Sequence, residues 1–382
     1  MTSEQLADLL ESVTQEIKSG DVPGAVLAVS SGSDQWLTAV GSEAPGGAEL
    51  RTDAVFRISS MTKPLTAALT LKLAEEGVLA LSDPVDRWIP ELADRRVLRT
   101  LDGPLDDTVP AEQSATVEDL LLMRLGFGFA FEVEKCPVAE RAIGDGLGMG
   151  PPLPSAIQHS PDEWIRRFAE LPLMEQPGKH WRYELAYAVL GVLLARATST
   201  PLPQLLSARV LKPLGMNDTG FTVPEQARDR LIPSYVGTED GIALFDPVDG
   251  SDWLNPPVFP HAGGGLVSTA TDYLRFARSL LDDGGLINAA SRAAMTRDHL
   301  TAEQRNGPSA GIFLDGEGWG YGVQVRDQPG LPARYGWGGG LGTTWYSYPE
   351  HGVSAVLMTQ HLPPSLPVLT AFTNSLDTAL GG

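Results

Sequence analysis

The stretch DAVFRISSMTK, residues 53–63, ends on Ser60-Met61-Thr62-Lys63 and opens the strongest helical pattern of the chain. Leu65, Leu69, Leu73 and Leu79 recur beyond it and Gly77 lies near the end, so the pattern predicts a helix over residues 60–79. Pro64 falls in the first turn, where a missing N–H costs least. Serine and lysine three residues apart then share one helix face. A serine hydroxyl is a weak nucleophile until a neighbouring base takes its proton. The helix start adds N–H groups and positive potential beside a reacting carbonyl. A bare S-x-x-K is often accidental. Here it occurs once, and at a helix start, which makes Ser60 and Lys63 candidate catalytic residues.

On the N-terminal side, Leu6, Leu9, Leu10, Val13 and Ile17 predict an amphipathic helix over residues 4–18, stopped at Gly20. Residues 23–30 and 35–41 read as a hairpin around a Ser/Gly/Asp turn. On the C-terminal side, residues 81–92 are turn-rich, and Thr116 is an N-cap candidate for a short helix over 116–123. Residues 126–160 are rich in Gly, Pro and aromatics and read as a long loop. Helices are predicted over 161–171, 185–197, 203–211 and 271–282. Residues 320–327, 333–339, 342–349 and 353–360 read as four strands of an antiparallel meander, and 366–380 as a closing helix. Strands at both ends and helices between predict an α/β (α+β) protein. Its antiparallel sheet would be built from residues 1–80 and 260–382, with an inserted, mostly helical unit at 81–259.

Composition narrows the function. The chain has 382 residues, 42% of them hydrophobic and 20% charged, which suits a globular protein with a sizeable core. A net charge of −20 repels phosphate backbones and anionic lipid, so neither nucleic acid nor a membrane surface is an expected partner. Cys136 is the one cysteine, so an intrachain disulfide is impossible. No apolar run reaches membrane-spanning length, and the N-terminal segment lacks the positive start and apolar core of a secretory signal. A cytoplasmic protein is the expectation. The six histidines are dispersed, so no metal is expected, and no dinucleotide fingerprint follows a strand, so no cofactor is. His261, beside three glycines, reads as structural. The sequence leaves the oligomeric state open.

Two further patterns bear on chemistry. Tyr183 lies in Trp181-Arg182-Tyr183-Glu184-Leu185, in a loop after Gln176-Pro177-Gly178 and before a helix. A tyrosine so placed can point its hydroxyl into a cleft and act as a general base, although most tyrosines pack with one hydrogen-bonded tip. Residues 336–342 read GWGGGLG. Glycines in a strand mark a close backbone approach, and an edge strand beside a nucleophile can offer an oxyanion-binding N–H. Gly307-Pro308-Ser309-Ala310-Gly311 matches the G-x-S-x-G elbow, but no strand precedes it, and a Gly-rich turn is read after it. Ser309 is therefore set aside as a nucleophile.

Taken together, S-x-x-K, the tyrosine motif and the third motif on a strand resemble the penicillin-recognising serine hydrolases. That superfamily includes class C β-lactamases, DD-peptidases and family VIII carboxylesterases. DAVFRISSMTK (53–63), ATVEDLLLM (115–123), KPLGMNDTGF (212–221) and GGGLVSTATDYLRFA (263–277) extend the likeness over nearly the whole chain. The resemblance implies a β-lactamase/DD-peptidase-like fold and an acyl-enzyme on Ser60. Lys63 and Tyr183 would share the proton relay, with Tyr183 as main base, and the N–H groups of Ser60 and Gly340 would hold the oxyanion. Trp337-Gly338-Gly339 stands where the β-lactamases and DD-peptidases usually carry Lys-Thr-Gly or His-x-Gly, and Tyr183-Glu184-Leu185 where they carry Tyr-x-Asn. Both departures resemble the family VIII carboxylesterases. They remove two polar groups suited to a β-lactam and imply a small or medium ester as substrate, with acyl transfer or amide hydrolysis as alternatives. A non-catalytic binding protein on this scaffold is disfavoured by the intact Ser60, Lys63 and Tyr183. Trp337, Gly338 and Gly339 are implied to bind substrate, and Phe127, Phe129 and Phe131 are candidate walls of an apolar pocket.

Overall fold

Both ends of the chain carry strands, and they meet in one sheet. The computed structural model describes residues 1–20, 22–149, 153–282 and 285–381. The sheet contains β1 (Gly24–Ser31), β2 (Asp34–Gly41), β3 (Gly318–Trp319), β4 (Gln324–Arg326), β5 (Arg334–Gly339), β6 (Thr343–Tyr348) and β7 (Val353–Met358). Its order is β2-β1-β7-β6-β5-β4-β3, and every pairing is antiparallel. The register sets Ala28 and Trp345 each opposite Val356, and Trp337 opposite Trp345.

The run GAVLAVS in β1 is apolar without alternation because both faces of the strand are covered. Ala25, Leu27 and Val29 join the core formed with helices α1 (Ser3–Ser19) and α5 (Leu366–Gly381). Val26 and Ala28 join the larger core that contains Met61 and Leu65. The amphipathic stripe of α1 buries Leu9, Val13 and Ile17, and Thr2 caps it reciprocally with Gln5.

Helix α2 (Thr62–Glu75) is buried almost all round, in keeping with its position behind the sheet. It is shorter than the pattern over 60–79, and a 3₁₀ turn at Ser59–Met61 precedes it. Helix α3 (Ala186–Thr198) is likewise buried along most of its length, and α4 (Ala270–Ser279) starts at the capping residue Thr269. The short strands Phe56–Arg57 and Val267–Ser268 pair, which brings the segment before α2 against the segment before α4. Arg57 fixes this junction from the other side. Its guanidinium is buried against Asp246, the Ile232 carbonyl and Ser251 Oγ.

The middle of the chain is less uniformly helical than its sequence predicts. Hairpins form at Arg96–Leu98 with Thr108–Pro110 and at Ser234–Thr238 with Gly241–Asp246. The loop expected over 126–160 contains a helix at Pro137–Gly144, and its residues 150–152 lie outside the described residues. That helix escaped the pattern because it is short and buries only Val138 and Ala142. A helix at Pro308–Phe313 also stands where the sequence reads as a Gly-rich turn. Among the described residues, no helix is long and apolar enough to cross a membrane.

Candidate active site

The tight turn before α2 places Ser60. Ser59 has φ of 43°, a left-handed conformation that costs a non-glycine residue of order 1 kcal/mol and persists only where surroundings enforce it. Three contacts enforce it. Thr343 Oγ1 donates to the Ile58 carbonyl at 3.2 Å, Tyr273 Oη donates to the Met61 carbonyl at 2.8 Å, and Thr62 Oγ1 accepts the Leu266 N–H at 3.2 Å. Strand β5 runs so close to this turn that a Cβ at Gly339 would collide with the Ile58 carbonyl. The third motif therefore needs glycine here to bring its backbone beside Ser60.

Lys63 lies one turn further on, fully buried. Its Nζ donates to Ser60 Oγ at 3.0 Å and to the Gly263 carbonyl at 2.7 Å, and lies 3.6 Å from Glu184 Oε2. An ammonium buried this far from water needs such acceptors and a counter-charge. His261 holds the turn that presents the Gly263 carbonyl, because its Nδ1 accepts the Gly263 N–H at 3.1 Å. Burial pushes the His261 imidazole down to about 4, against the opposing pull of Glu184. A neutral ring is the form that can accept that N–H. His261 is thus structural, as its sequence context suggests, and it acts directly behind Lys63.

Tyr183 reaches Ser60 as well, its Oη donating to Ser60 Oγ at 2.5 Å. Trp337 Nε1 donates to Tyr183 Oη at 3.4 Å, and Lys63 Nζ lies 4.5 Å from the ring centre. The Trp337 N–H therefore faces the place where negative charge would develop on that oxygen, and Lys63 Nζ lies over the ring. The ring is stacked on Phe313 at 4.6 Å and on Trp181 at 5.6 Å. Its backbone is held as firmly. Phe129 N–H donates to the Tyr183 carbonyl at 2.5 Å, and Gly128 passes so close to that carbonyl that no Cβ would fit. Arg182, paired with Glu132 and Glu175, bonds the Phe129 carbonyl at 2.7 Å and ties the same loop down.

Ser309, the serine of the G-x-S-x-G pattern, is buried and accepts the Tyr183 N–H at 3.2 Å. The short helix that carries it also carries Phe313, so one segment holds Tyr183 by backbone and by ring. Ser309→Ala leaves a buried N–H unpaired, which costs about 1–3 kcal/mol. The variant is expected to lose that much stability in urea unfolding while retaining most of its catalytic turnover. Complete loss of turnover in folded protein would contradict the structural role.

A cavity of about 350 Å³ opens over Ser60. Its walls include Phe129, Tyr183, Glu184, Phe313, Gln324, Trp337, Gly338, Gly339, Gly340, Thr344, Tyr346 and Leu369, and they are predominantly apolar. Phe127 is not among them, which corrects one expectation. It is fully buried and packs edge-on against Phe168 at 5.2 Å. Phe129, two residues on, stacks beside Phe313 and lines the cavity instead. Phe131 is half-exposed beside Phe313 and lies outside the lining. Cys136 is buried, and burial raises its thiol, the opposite of nucleophile activation. Sequence reasoning missed Glu184, Phe313, Gln324 and Tyr346. Only Glu184 carried a signal, as the variable residue inside the Tyr183 motif. Among the described residues, no group of His, Cys, Asp or Glu is arranged to hold a metal ion.

The family model described as Beta-lactamase matches residues 9–380. The chain belongs to the beta-lactamase family. Within this family it is 31% identical over 380 residues to Esterase EstB of Burkholderia gladioli, covering 93% of this chain and 90% of that protein. It is 38% identical to Protein Rv1367c of Mycobacterium tuberculosis, over 83% of this chain and 80% of that protein. Among solved structures, EstCE1, a hydrolase with promiscuous acyltransferase activity, superposes with a TM-score of 0.81 at 23% identity, covering 98% of each chain. Simvastatin synthase (LovD) of Aspergillus terreus superposes at 0.79 with 21% identity, over 100% of this chain and 98% of that one. These two superpositions bear on the fold, which is that of the β-lactamases and DD-peptidases. The family VIII esterase assignment within this superfamily agrees with the relatives found.

Proposed function

We propose that this protein is a serine carboxylesterase that hydrolyses small or medium esters through an acyl-enzyme on Ser60. The observation that carries the reading is the convergence of two polar side chains on one hydroxyl: Lys63 Nζ at 3.0 Å and Tyr183 Oη at 2.5 Å from Ser60 Oγ. Nucleophile and base within hydrogen-bond reach, with the base oriented by further groups, is the signature of covalent catalysis.

In the reactive form of the pair the Tyr183 phenol proton has passed to Lys63, and Ser60 Oγ attacks the ester carbonyl carbon while its own proton passes to the Tyr183 phenolate oxygen. The backbone N–H groups of Ser60 and Gly340 receive the oxyanion. On collapse the carbonyl–alkoxide bond breaks, and Tyr183 returns the proton to the leaving alkoxide, releasing the alcohol. Water then attacks the acyl-enzyme, gives its proton to Tyr183, and the acid departs as Ser60 is re-protonated. Lys63 Nζ lies against Ser60 Oγ and over the Tyr183 ring, and it shares the proton relay with Tyr183. The two groups act as a coupled unit.

The apolar cavity supports esters over β-lactams as substrates, since Trp337 lines it where a polar group would hold a β-lactam. Acyl transfer is the second reading, favoured by the kinship with EstCE1 and with Acyltransferase calJ of Penicillium decumbens, 24% identical over 356 residues. An alcohol or amine would then replace water in the second half-reaction. No metal or other cofactor enters the scheme. A small molecule is the partner it needs, and the cytoplasm is the compartment we assign, consistent with a lone cysteine.

Short-chain p-nitrophenyl esters test the reading. Wild type is expected to release p-nitrophenol catalytically together with one equivalent of free acid. With a competing alcohol present, appearance of the new ester at the expense of acid would favour the transferase. Absence of turnover with every activated ester would overturn both.

A further inference from the structure

Among the described residues, the cavity wall carries one carboxyl side chain and no basic one. Glu184 lines the cavity, whereas Lys63 is enclosed behind Ser60 and contributes nothing to the wall. Among the described residues, no arginine, lysine or histidine lines it. The neutral donors are partly committed elsewhere: Gln324 Nε2 donates to the Leu314 carbonyl at 3.1 Å, and Thr343 Oγ1 to the Ile58 carbonyl. Phe129, Phe313, Trp337, Pro364 and Leu369 supply carbon surface.

We propose that Glu184 makes this cavity discriminate against anionic substrates, so that its esters are neutral or cationic. The inference rests on the ester-hydrolase reading and adds the charge class of the substrate to it. The physical reason is desolvation. A substrate carboxylate entering this space leaves water, meets no cation on the wall, and faces the Glu184 carboxylate. Lys63 does not answer that charge, because it lies behind Ser60 with Glu184 as its counter-charge and with Ser60 Oγ and the Gly263 carbonyl on its N–H groups. A neutral chain of the same shape gains apolar burial instead. The same wall bears on half-esters of dicarboxylic acids and on other acids that a cationic third motif would have welcomed.

The test compares two substrates of one chain length: the mono-p-nitrophenyl ester of adipic acid, which carries a free carboxylate, and its methyl ester, which does not. Rates are normalised to hydroxide-catalysed hydrolysis of each. Wild type is expected to favour the methyl ester by at least about tenfold in kcat/KM, a ratio set by one uncompensated charge. The preference should persist in about 0.5 M salt, where the field of the exposed surface charge is screened but a contact inside the cavity is not. Glu184→Gln should shrink the ratio at least about threefold, whatever it does to the absolute rate through Lys63, and Glu184→Asp should retain it. Equal use of both esters by wild type overturns the inference, as does a preference that vanishes in salt. An unchanged ratio in folded Glu184→Gln also overturns it. Should Glu184→Gln fail to fold, the salt experiment on wild type decides alone. Failure of wild type to turn over even the methyl ester would instead sink the esterase reading on which the inference rests.

Discussion

Ser60→Ala is expected to lower kcat/KM for a p-nitrophenyl ester by at least about 10⁴-fold, equivalent to about 5.5 kcal/mol of transition-state stabilisation. The size reflects the chemistry removed. Without Oγ there is no acyl-enzyme, and the remaining cavity offers only binding and the backbone N–H groups. Folding should survive, because the hydroxyl is surrounded by groups with other partners. Lys63 keeps the Gly263 carbonyl and Glu184, and the Tyr183 ring keeps its stacking on Phe313 and Trp181. Unfolding in urea should therefore show a midpoint near that of wild type. Retained turnover in the folded variant would remove Ser60 as nucleophile.

Tyr183→Phe should cost less, about 10²–10⁴-fold in kcat, the range of a general base, with little change in KM. The phenylalanine ring preserves the packing, and only the oxygen at 2.5 Å from Ser60 Oγ disappears. The loss is bounded because Lys63 Nζ also touches Ser60 Oγ, at 3.0 Å, and can take part of the proton traffic. A wild-type rate in Tyr183→Phe would take the base role away from the tyrosine. A loss confined to KM would recast its hydroxyl as a substrate contact.

The features legible in the sequence share a physical character. The helix of α2, the hairpin of β1 and β2, and the strands β5 to β7 are each governed by local periodicity and by Gly or Pro punctuation, and they form where expected, α2 over a shorter span than its pattern. Ser60 and Lys63 are legible for the same reason, since one helical turn relates them. Tyr183 and the Trp337-Gly338-Gly339 run are legible only through the order of motifs shared with a family, because loops and a distant strand place them. Features that depend on distant segments are not visible. Glu184 looks like a spacer until the fold sets it beside Lys63. Phe313 sits in a stretch that reads as a Gly-rich turn and proves to be the floor beneath the Tyr183 ring. Phe127 and Phe129 alternate as strand residues would, yet Phe127 packs on Phe168 in the core and Phe129 lines the cavity. Ser309 matches a nucleophile pattern and instead accepts the Tyr183 N–H. In each case the missing information is a tertiary contact, which one local window does not contain.

The central claim is that an acyl group passes through Ser60. Intact-mass analysis of the protein after brief exposure to an activated p-nitrophenyl phosphonate, followed by peptide mapping, addresses it directly. The account predicts a single adduct, on the peptide containing Ser60, absent in Ser60→Ala. An adduct on Ser309 or on any other residue, with Ser60 unmodified, would contradict it.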